Sequence, residues 1–363
     1  MNKLLRSAMR RIRPWTIQEK VRWFGADNPS QAAKALVLRA KEAIGLSSAG
    51  LALIVGDGGE LERDIGKRLQ GLKLNHKVID ANRIEDLVVE ELGLVAVVIC
   101  AVTGAKMQTK IAIALAEHPV LQHCPFEAVA GLDSSREVFR RRDEYRDTDF
   151  VSSVLLDDPS PYQIYEESLE YFEQKCGLRD FLDLYQMVKH VVHNNVEGDI
   201  AEFGSFRGHS GWLIASTLEA LGSSKQLYML DTFESFPVES VGVDYFWSAT
   251  HKVDFDSVKA KLSSKPNVTL IKGDFTQTLE SSAVGALALA YIDCDSYRAT
   301  RYLLELFQDS YMSNGSVLIC EDYGHPALLG NRAALHSVFD GVPGWIRFFS
   351  QFSGLYIMLK TAA

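Results

Sequence analysis

The stretch Asp199–Gly211, DIAEFGSFRGHSG, decides the fold prediction. Apolar residues lead to a carboxylate, two glycines stand four positions apart, and Ser210 precedes an apolar helical run. This pattern predicts a strand, a glycine turn and a helix. In an open parallel sheet such a turn lies beyond the carboxyl end of a strand, where ligands bind. The turn lacks the full dinucleotide fingerprint and the Lys-Ser/Thr of a phosphate loop, so a purely structural turn remains an alternative.

Strands and helices alternate along both halves of the chain, which indicates α/β architecture with largely parallel sheets. The end of the chain is predicted to be two antiparallel strands joined by a turn. The charged, weakly periodic stretch before residue 158 indicates a boundary. We therefore predict an N-terminal helical arm over residues 1–45, a smaller Rossmann-like α/β domain over 46–157, and a doubly wound domain over 158–363.

Composition excludes several classes of protein. The 363 residues are 47% hydrophobic and 23% charged, with a formal net charge of −9, which argues against a general nucleic-acid binder. No apolar stretch reaches the ~20 residues that a transmembrane segment needs. The five cysteines form no Cys-x-x-Cys pair, so we expect reduced thiols and a cytoplasmic protein.

Acidic residues follow three of the predicted strands. Asp231 ends the strand after the glycine turn, where a carboxylate could hold the hydroxyls of a ribose or merely cap the next turn. Asp293 and Asp295 follow one apolar strand, and Glu321 and Asp322 follow another. If those strands are neighbours, their carboxylates repel unless a cation compensates, and oxygen ligands suit Mg²⁺, Mn²⁺ or Ca²⁺. Solvated acids at strand ends are the alternative.

Five motifs together resemble the macrocin O-methyltransferase family over roughly residues 160–360: EFGSFRGHS, YMLDTFESFP, KGDFTQTL, YIDCDSY and VLICEDYG. The resemblance implies a class I methyltransferase fold ending in an antiparallel hairpin, with S-adenosylmethionine as the methyl donor. It also implies transfer to a hydroxyl of a sugar or a glycosylated natural product. The expected partner is thus a small sugar-containing molecule, and we further expect a homo-oligomer.

The resemblance also implies which residues bind. Asp231 would hold the ribose, and the Gly-Asp-Phe motif would hold the adenine. The residues expected to contact the cofactor are Glu202, Gly204, Phe206, Gly208, Ser210, Asp231, Thr232, Gly273, Asp274 and Phe275. The metal ligands, for Mg²⁺ or Mn²⁺, would be Asp293, Glu321 and Asp322, although the family usually has an aspartate where this chain has Glu321.

The general base is open. Catechol-type methyltransferases have a lysine three residues after the first metal ligand, where this chain has Ser296. Asp295 and His325 are the candidates, and each could instead be a structural hydrogen-bonding residue. Aromatic residues over 233–247 could form a lid or could belong to the core.

The N-terminal half resembles nucleotide-sugar-binding Rossmann-like domains, although Asp57 and the glycines after it depart from the usual Gly-x-Gly pattern. A docking or oligomerisation module is the alternative. Two other functions remain open: a nucleotide-sugar- or NAD-binding enzyme that uses this domain, and a non-catalytic cofactor-binding protein.

Overall fold

A computed structural model shows two compact units. One comprises Met1–Asp143 with His325–Ala327, and the other comprises Glu144–Gly324 with Leu328–Ala363. The predicted three-part division stays a prediction, and much of the expected N-terminal arm lies outside the described residues. The structure describes residues 16–18, 21, 26, 28–47, 50–86, 94–129, 158–236, 242–247, 250–325 and 328–361.

The first unit contains a four-stranded parallel sheet of order β2-β1-β3-β4. The apolar runs of β1 and β3 are almost wholly buried, as expected for strands covered on both faces. A buried ion pair between Arg39 and Glu127, 2.6 Å long, joins the first helix to the last strand. The elements are α1 (Pro29–Leu46), β1 (Leu51–Gly56), α2 (Glu60–Gly71), β2 (Asn75–Asp80), β3 (Val95–Cys100), α3 (Ala105–Glu117) and β4 (Phe126–Glu127), with 3₁₀ turns at Ala81–Asp86 and Leu121–His123.

The second unit contains a seven-stranded sheet. Its elements are α4 (Ser160–Tyr171), α5 (Leu178–His193), β5 (Asp199–Phe203), α6 (His209–Ala220), β6 (Leu227–Asp231), a 3₁₀ segment (Gly242–Trp247), α7 (Phe255–Leu262), β7 (Val268–Lys272), α8 (Phe275–Thr278), β8 (Leu287–Ile292), α9 (Tyr297–Asp309), β9 (Met312–Cys320), α10 (Leu329–Phe339), β10 (Trp345–Phe349) and β11 (Tyr356–Lys360).

The strand order of this sheet is β10-β11-β9-β8-β5-β6-β7, in which β5 to β9 are parallel and β10 and β11 form an antiparallel hairpin. The chain runs outward from β5 to β7 and then returns to place β8 on the other side of β5. Since crossovers between parallel strands are right-handed, this reversal puts the connecting helices on both faces. This is the class I methyltransferase topology. The fold prediction, a smaller α/β region followed by a class I sheet that ends in an antiparallel hairpin, is therefore confirmed.

The core of the second unit surrounds β5, β8 and α6. Every residue of β8 is buried, and α6 is buried along most of its length, including Trp212. The order of strands makes the gap between the carboxyl ends of β5 and β8 the switch point of the sheet, where ligands bind in such folds. No helix within the described ranges combines the length and the apolar character needed to cross a bilayer. The five cysteines are free thiols.

Candidate active site

The glycine turn after β5 brings the backbone unusually close to the end of β8. Gly204 has a φ of +93°, and a Cβ at this position would lie 2.0 Å from the carbonyl oxygen of Asp293. Only glycine combines this left-handed conformation with this approach. Gly208, with a φ of +82°, then begins α6 as its N-cap.

His209 fixes the start of α6. Its Nδ1 accepts the backbone N–H groups of Lys175 and Cys176 at 3.1 Å, and its Nε2 lies 2.9 Å from the Ser168 hydroxyl. Burial lowers the pKa of His209 to about 4, so the ring is neutral and acts as an acceptor at Nδ1. No sequence motif marked His209 for this role, which is structural.

Glu202 is fully buried under the turn. Neither of its carboxylate oxygens makes a hydrogen bond of normal geometry to any described residue. Burial raises the pKa of Glu202 to about 7, while the nearby hydroxyls of Ser210 and Ser205 act in the opposite direction. A buried carboxylate without a partner of normal geometry is costly, so a donor that reaches Glu202 would be bound favourably.

Asp231 has the capping role that the sequence analysis named as one of two alternatives. One of its carboxylate oxygens accepts the Phe206 N–H at 2.8 Å, and the other accepts the Phe233 N–H at 2.6 Å. It therefore links the turn after β5 to the turn after β6. A carboxylate offers about four acceptor positions, so it retains capacity for ligand hydroxyls.

A cavity of about 440 Å³ opens at the carboxyl ends of these strands. Six of the ten predicted cofactor residues line it, whereas Glu202, Gly208, Ser210 and Gly273 do not. The cavity also contains His251, which was not predicted and which packs edge-on against Phe206 with ring centroids 4.9 Å apart. The six predicted residues in its wall are Gly204, Phe206, Asp231, Thr232, Asp274 and Phe275.

The three predicted metal ligands lie together, and Asp295 joins them. In the cluster of Asp293, Asp295, Glu321 and Asp322, each side chain offers an oxygen within 4.8 Å of the others. The register explains this arrangement, because Ile292 of β8 pairs with the last residue of β9 and accepts the Glu321 N–H at 2.9 Å.

The four acids of this cluster repel one another when they are ionised. Burial, followed by repulsion from Asp322, raises the pKa values of Asp293, Asp295 and Glu321 well above the usual range of carboxyl groups. Such a group of oxygens either holds protons or needs a cation, and its oxygen-only ligand set suits Mg²⁺ or Mn²⁺.

Two further acids near this site escaped the sequence analysis. Asp180, at the start of α5, is half-buried and accepts the Gly177 N–H at 3.1 Å; desolvation and, less strongly, the nearby Asp322 raise its pKa to about 6. Asp244 is buried in the 3₁₀ segment. An acid in the first turn of a predicted helix was a signal for Asp180, but only as a cap; no motif marked Asp244.

The remaining predicted residues have different positions in the structure. His325 follows the acidic cluster in sequence but groups with the first unit, so its role stays a prediction. Of the aromatic residues considered for a lid, Phe233 is a core residue that packs against Phe255 at 5.0 Å, and Phe236 lines the cavity. The side chains of Phe246 and Trp247 lie outside the described set.

The glycine turn of the first unit is filled by its own side chains. The Gly58 N–H donates to Glu62 at 2.7 Å, and the Gly59 N–H donates to Asp57 at 3.0 Å. A Cβ at Gly56 would lie 2.2 Å from the Glu62 carboxylate. Carboxylates thus take the amide donors that a diphosphate would need, which argues against a dinucleotide site at this turn.

The second unit contains a segment that is similar to a known protein family. The family described as Macrocin-O-methyltransferase (TylF) matches residues 174–337. These residues are similar to the macrocin O-methyltransferase family. The resemblance carried by the five motifs is confirmed, and the matched macrocin O-methyltransferase segment contains the glycine turn, Asp231 and the four clustered acids.

Two curated bacterial relatives match less than two thirds of their own length. The 8-demethyl-8-(2,3-dimethoxy-alpha-L-rhamnosyl)-tetracenomycin-C 4'-O-methyltransferase of Streptomyces olivaceus is 28% identical over 173 residues, which cover 44% of this chain and 65% of the relative. The demethyldecarbamoylnovobiocin O-methyltransferase of Streptomyces niveus is 26% identical over 162 residues, which cover 40% of this chain and 61% of the relative.

Solved structures are similar at lower identity. The O-methyltransferase NovP is 22% identical with a TM-score of 0.45, covering 51% of this chain and 81% of its own. The calicheamicin methyltransferase CalS11 is 19% identical with a TM-score of 0.45, covering 65% of this chain and 96% of its own.

Proposed function

We propose that this protein is an S-adenosylmethionine-dependent O-methyltransferase that uses a divalent cation and acts on a sugar hydroxyl. One observation carries the proposal: a glycine turn, a carboxylate at the next strand end and four clustered acids meet at the switch point of a macrocin O-methyltransferase sheet.

The residues around the cavity fit the cofactor. Glu202 has two buried, unpartnered oxygens that suit a donor such as the cofactor's amino group, and Gly204 keeps the backbone free of side-chain atoms beside Asp293. Asp231 would hold the ribose hydroxyls, and Asp274 and Phe275 would border the adenine. When bound, S-adenosylmethionine supplies a methyl group on a positively charged sulfur.

The clustered acids fit a divalent cation. Asp293, Glu321 and Asp322 are the proposed ligands, and the close approach of their oxygens supports the assignment. The longer Glu321 side chain does not keep its carboxylate out of the cluster. A cation bound there would lower the pKa of an acceptor hydroxyl and orient it.

Asp295 is the proposed general base. With a cation in the cluster Asp295 would be ionised, and its Oδ1, which has no hydrogen-bond partner among the described residues, would then be able to accept a proton from the acceptor. Its place in the cluster also makes it a possible fourth ligand, and His325 stays the second candidate base. Transfer needs little more from the protein than alignment, charge neutralisation and exclusion of water.

A sugar acceptor is proposed because one relative is named for a rhamnosyl-tetracenomycin, and the other is also named as an O-methyltransferase. A homo-oligomeric state and a cytoplasmic location stay predictions, which sedimentation of the full chain and fractionation of its host would test.

The test is mass spectrometry of a panel of sugar and phenol acceptors incubated with protein and S-adenosylmethionine, with and without a chelator. We expect one added methyl group on a sugar hydroxyl, loss of the product with chelator, and recovery with Mg²⁺. Asp293→Asn should lose this product, whereas Asp309→Asn, at the far end of α9, should keep it. If neither the chelator nor the Asp293→Asn substitution reduces the amount of methylated product, the metal-dependent mechanism is contradicted.

A further inference from the structure

Asp244 connects the segment after β6 to the start of α9. Its side chain is 1% exposed, and both of its carboxylate oxygens accept the Tyr297 N–H at 2.9 Å. The Ser296 hydroxyl adds a weaker bond to Asp244 at 3.3 Å. The Tyr297 N–H is one of the donors that a helix start leaves unsatisfied, and a negative charge there is favoured by the helix dipole.

The same carboxylate also packs against the start of α10. A Cβ at Gly330 would lie 2.3 Å from Asp244 Oδ1 and 3.2 Å from the Tyr297 nitrogen. Helix α9 follows the turn that carries Asp293 and Asp295, and α10 follows the turn that carries Glu321 and Asp322. Asp244 therefore lies between the first residues of the two helices that follow the acidic turns.

The turn that Asp244 supports is strained. Asp295 has a φ of +52°, a left-handed conformation that is unfavourable for residues other than glycine. Such a conformation persists only when its surroundings hold it in place. The Tyr297 amide, two residues beyond Asp295, is held by two contacts to one buried carboxylate.

We propose that Asp244 is a positioning residue for the carboxylate cluster, which holds the Asp293–Ser296 turn in the geometry that binds a divalent cation. The inference rests on the proposed function in one respect, namely that the cluster binds a cation. Asp244 itself bonds to backbone and to Ser296, not to the clustered oxygens.

Hydrogen bonding rather than charge should carry this role. Burial raises the pKa of Asp244 to about 7, and its negative charge repels that of Asp295. An asparagine retains an oxygen that can accept the Tyr297 N–H, whereas an alanine leaves that amide without it. The two substitutions therefore separate positioning from electrostatics.

The experiment is calorimetric titration of the full chain with Mn²⁺, in the absence of cofactor and acceptor. We expect Asp244→Ala to lower the Mn²⁺ affinity about 10-fold or more, as loss of outer-shell support does at metal sites, and Asp244→Asn to stay within about 3-fold of the unmodified protein. Gly330→Ala, which crowds Asp244 without removing it, should also weaken Mn²⁺ binding and serves if Asp244→Ala does not fold.

The control is Thr217→Val, which removes a buried hydroxyl that donates to the Leu213 carbonyl within α6. It should destabilise the fold and leave the Mn²⁺ affinity unchanged. Unchanged affinity in Asp244→Ala, equal losses in the alanine and asparagine variants, or an equal loss in the control would overturn the inference. A protein that binds Mn²⁺ as expected but methylates no acceptor would refute the proposed reaction and leave this role of Asp244 standing.

Discussion

Glu202 combines two properties that normally exclude each other in one carboxyl group. It is completely buried, yet its oxygens lack a partner of normal geometry among the described residues. Its pKa of about 7 follows from that burial. A carboxyl group whose pKa is raised on folding stabilises the protein while it holds its proton. That contribution is complete below its unfolded pKa, about 4.3, and is lost as the pH rises through 7.

We predict that Glu202→Gln makes the ligand-free protein more stable at pH 8, by about 1–3 kcal/mol, because an amide cannot ionise in that site. At pH 5 the difference should be small. The same change should weaken binding of S-adenosylmethionine, since the ligand's amino group loses its carboxylate. Urea unfolding at the two pH values and calorimetry measure the two effects.

The matched control is Glu305→Gln, on the exposed pair that Glu305 forms with Arg301. It should change neither the pH dependence of stability nor cofactor binding. An equal loss of stability at both pH values in Glu202→Gln would show that the carboxylate has a partner in the ligand-free protein.

At the scale of elements, the site depends on how closely the ends of β5 and β8 approach. The turn after β5 allows this contact only because Gly204 has no Cβ. The parallel register of β8 and β9 then places Asp293 beside the acids that follow β9. Strand pairing, rather than any single motif, assembles the cluster.

Gly204→Ala should therefore destabilise the second unit by more than about 2 kcal/mol, because a methyl group would meet the Asp293 carbonyl at a residue with positive φ. Gly285→Ala is the control, since no described atom lies within 4 Å of its Cβ position. Denaturant unfolding of the two variants provides the comparison. Equal stability of both would mean that the turn relaxes at little cost.

The sequence predicted the strands and the acids at their ends better than it predicted the contacts that turn and loop residues make around them. Apolar strands ending in acids are visible as a pattern, so Asp293, Asp295, Glu321 and Asp322 could be grouped before their strands were known to be neighbours. Whether Asp295 is a ligand, a base or a structural residue stayed open, because the sequence cannot show how the turn after β8 directs its side chain. Asp244 was missed because its partner, Tyr297, lies far along the chain and burial of a loop carboxylate has no periodic signal.

At the scale of the whole molecule, groups whose pKa values shift in opposite directions define how stability depends on pH. The carboxyls of Glu202, Asp244 and Asp180 have raised pKa values of about 7, 7 and 6, so the stability they contribute is lost as pH rises. His209, with its pKa lowered to about 4, and Asp158, lowered to about 2 mainly by its bond to Lys189, act in the other direction. Their contributions are lost as pH falls.

The protein in chelator should accordingly lose stability from about pH 4 toward pH 8, as these acids and the clustered acids give up protons in the folded state. A divalent cation replaces those protons, so Mg²⁺ should raise the melting temperature strongly at pH 8 and little at pH 5, where protons compete for the same oxygens. Thermal unfolding at both pH values, with chelator or excess Mg²⁺, tests this, with Asp293→Asn as the variant that should lose the Mg²⁺ response. A Mg²⁺ effect of equal size at the two pH values would mean that the cation does not bind to the clustered acids, because binding there has to displace the protons that they hold at pH 5.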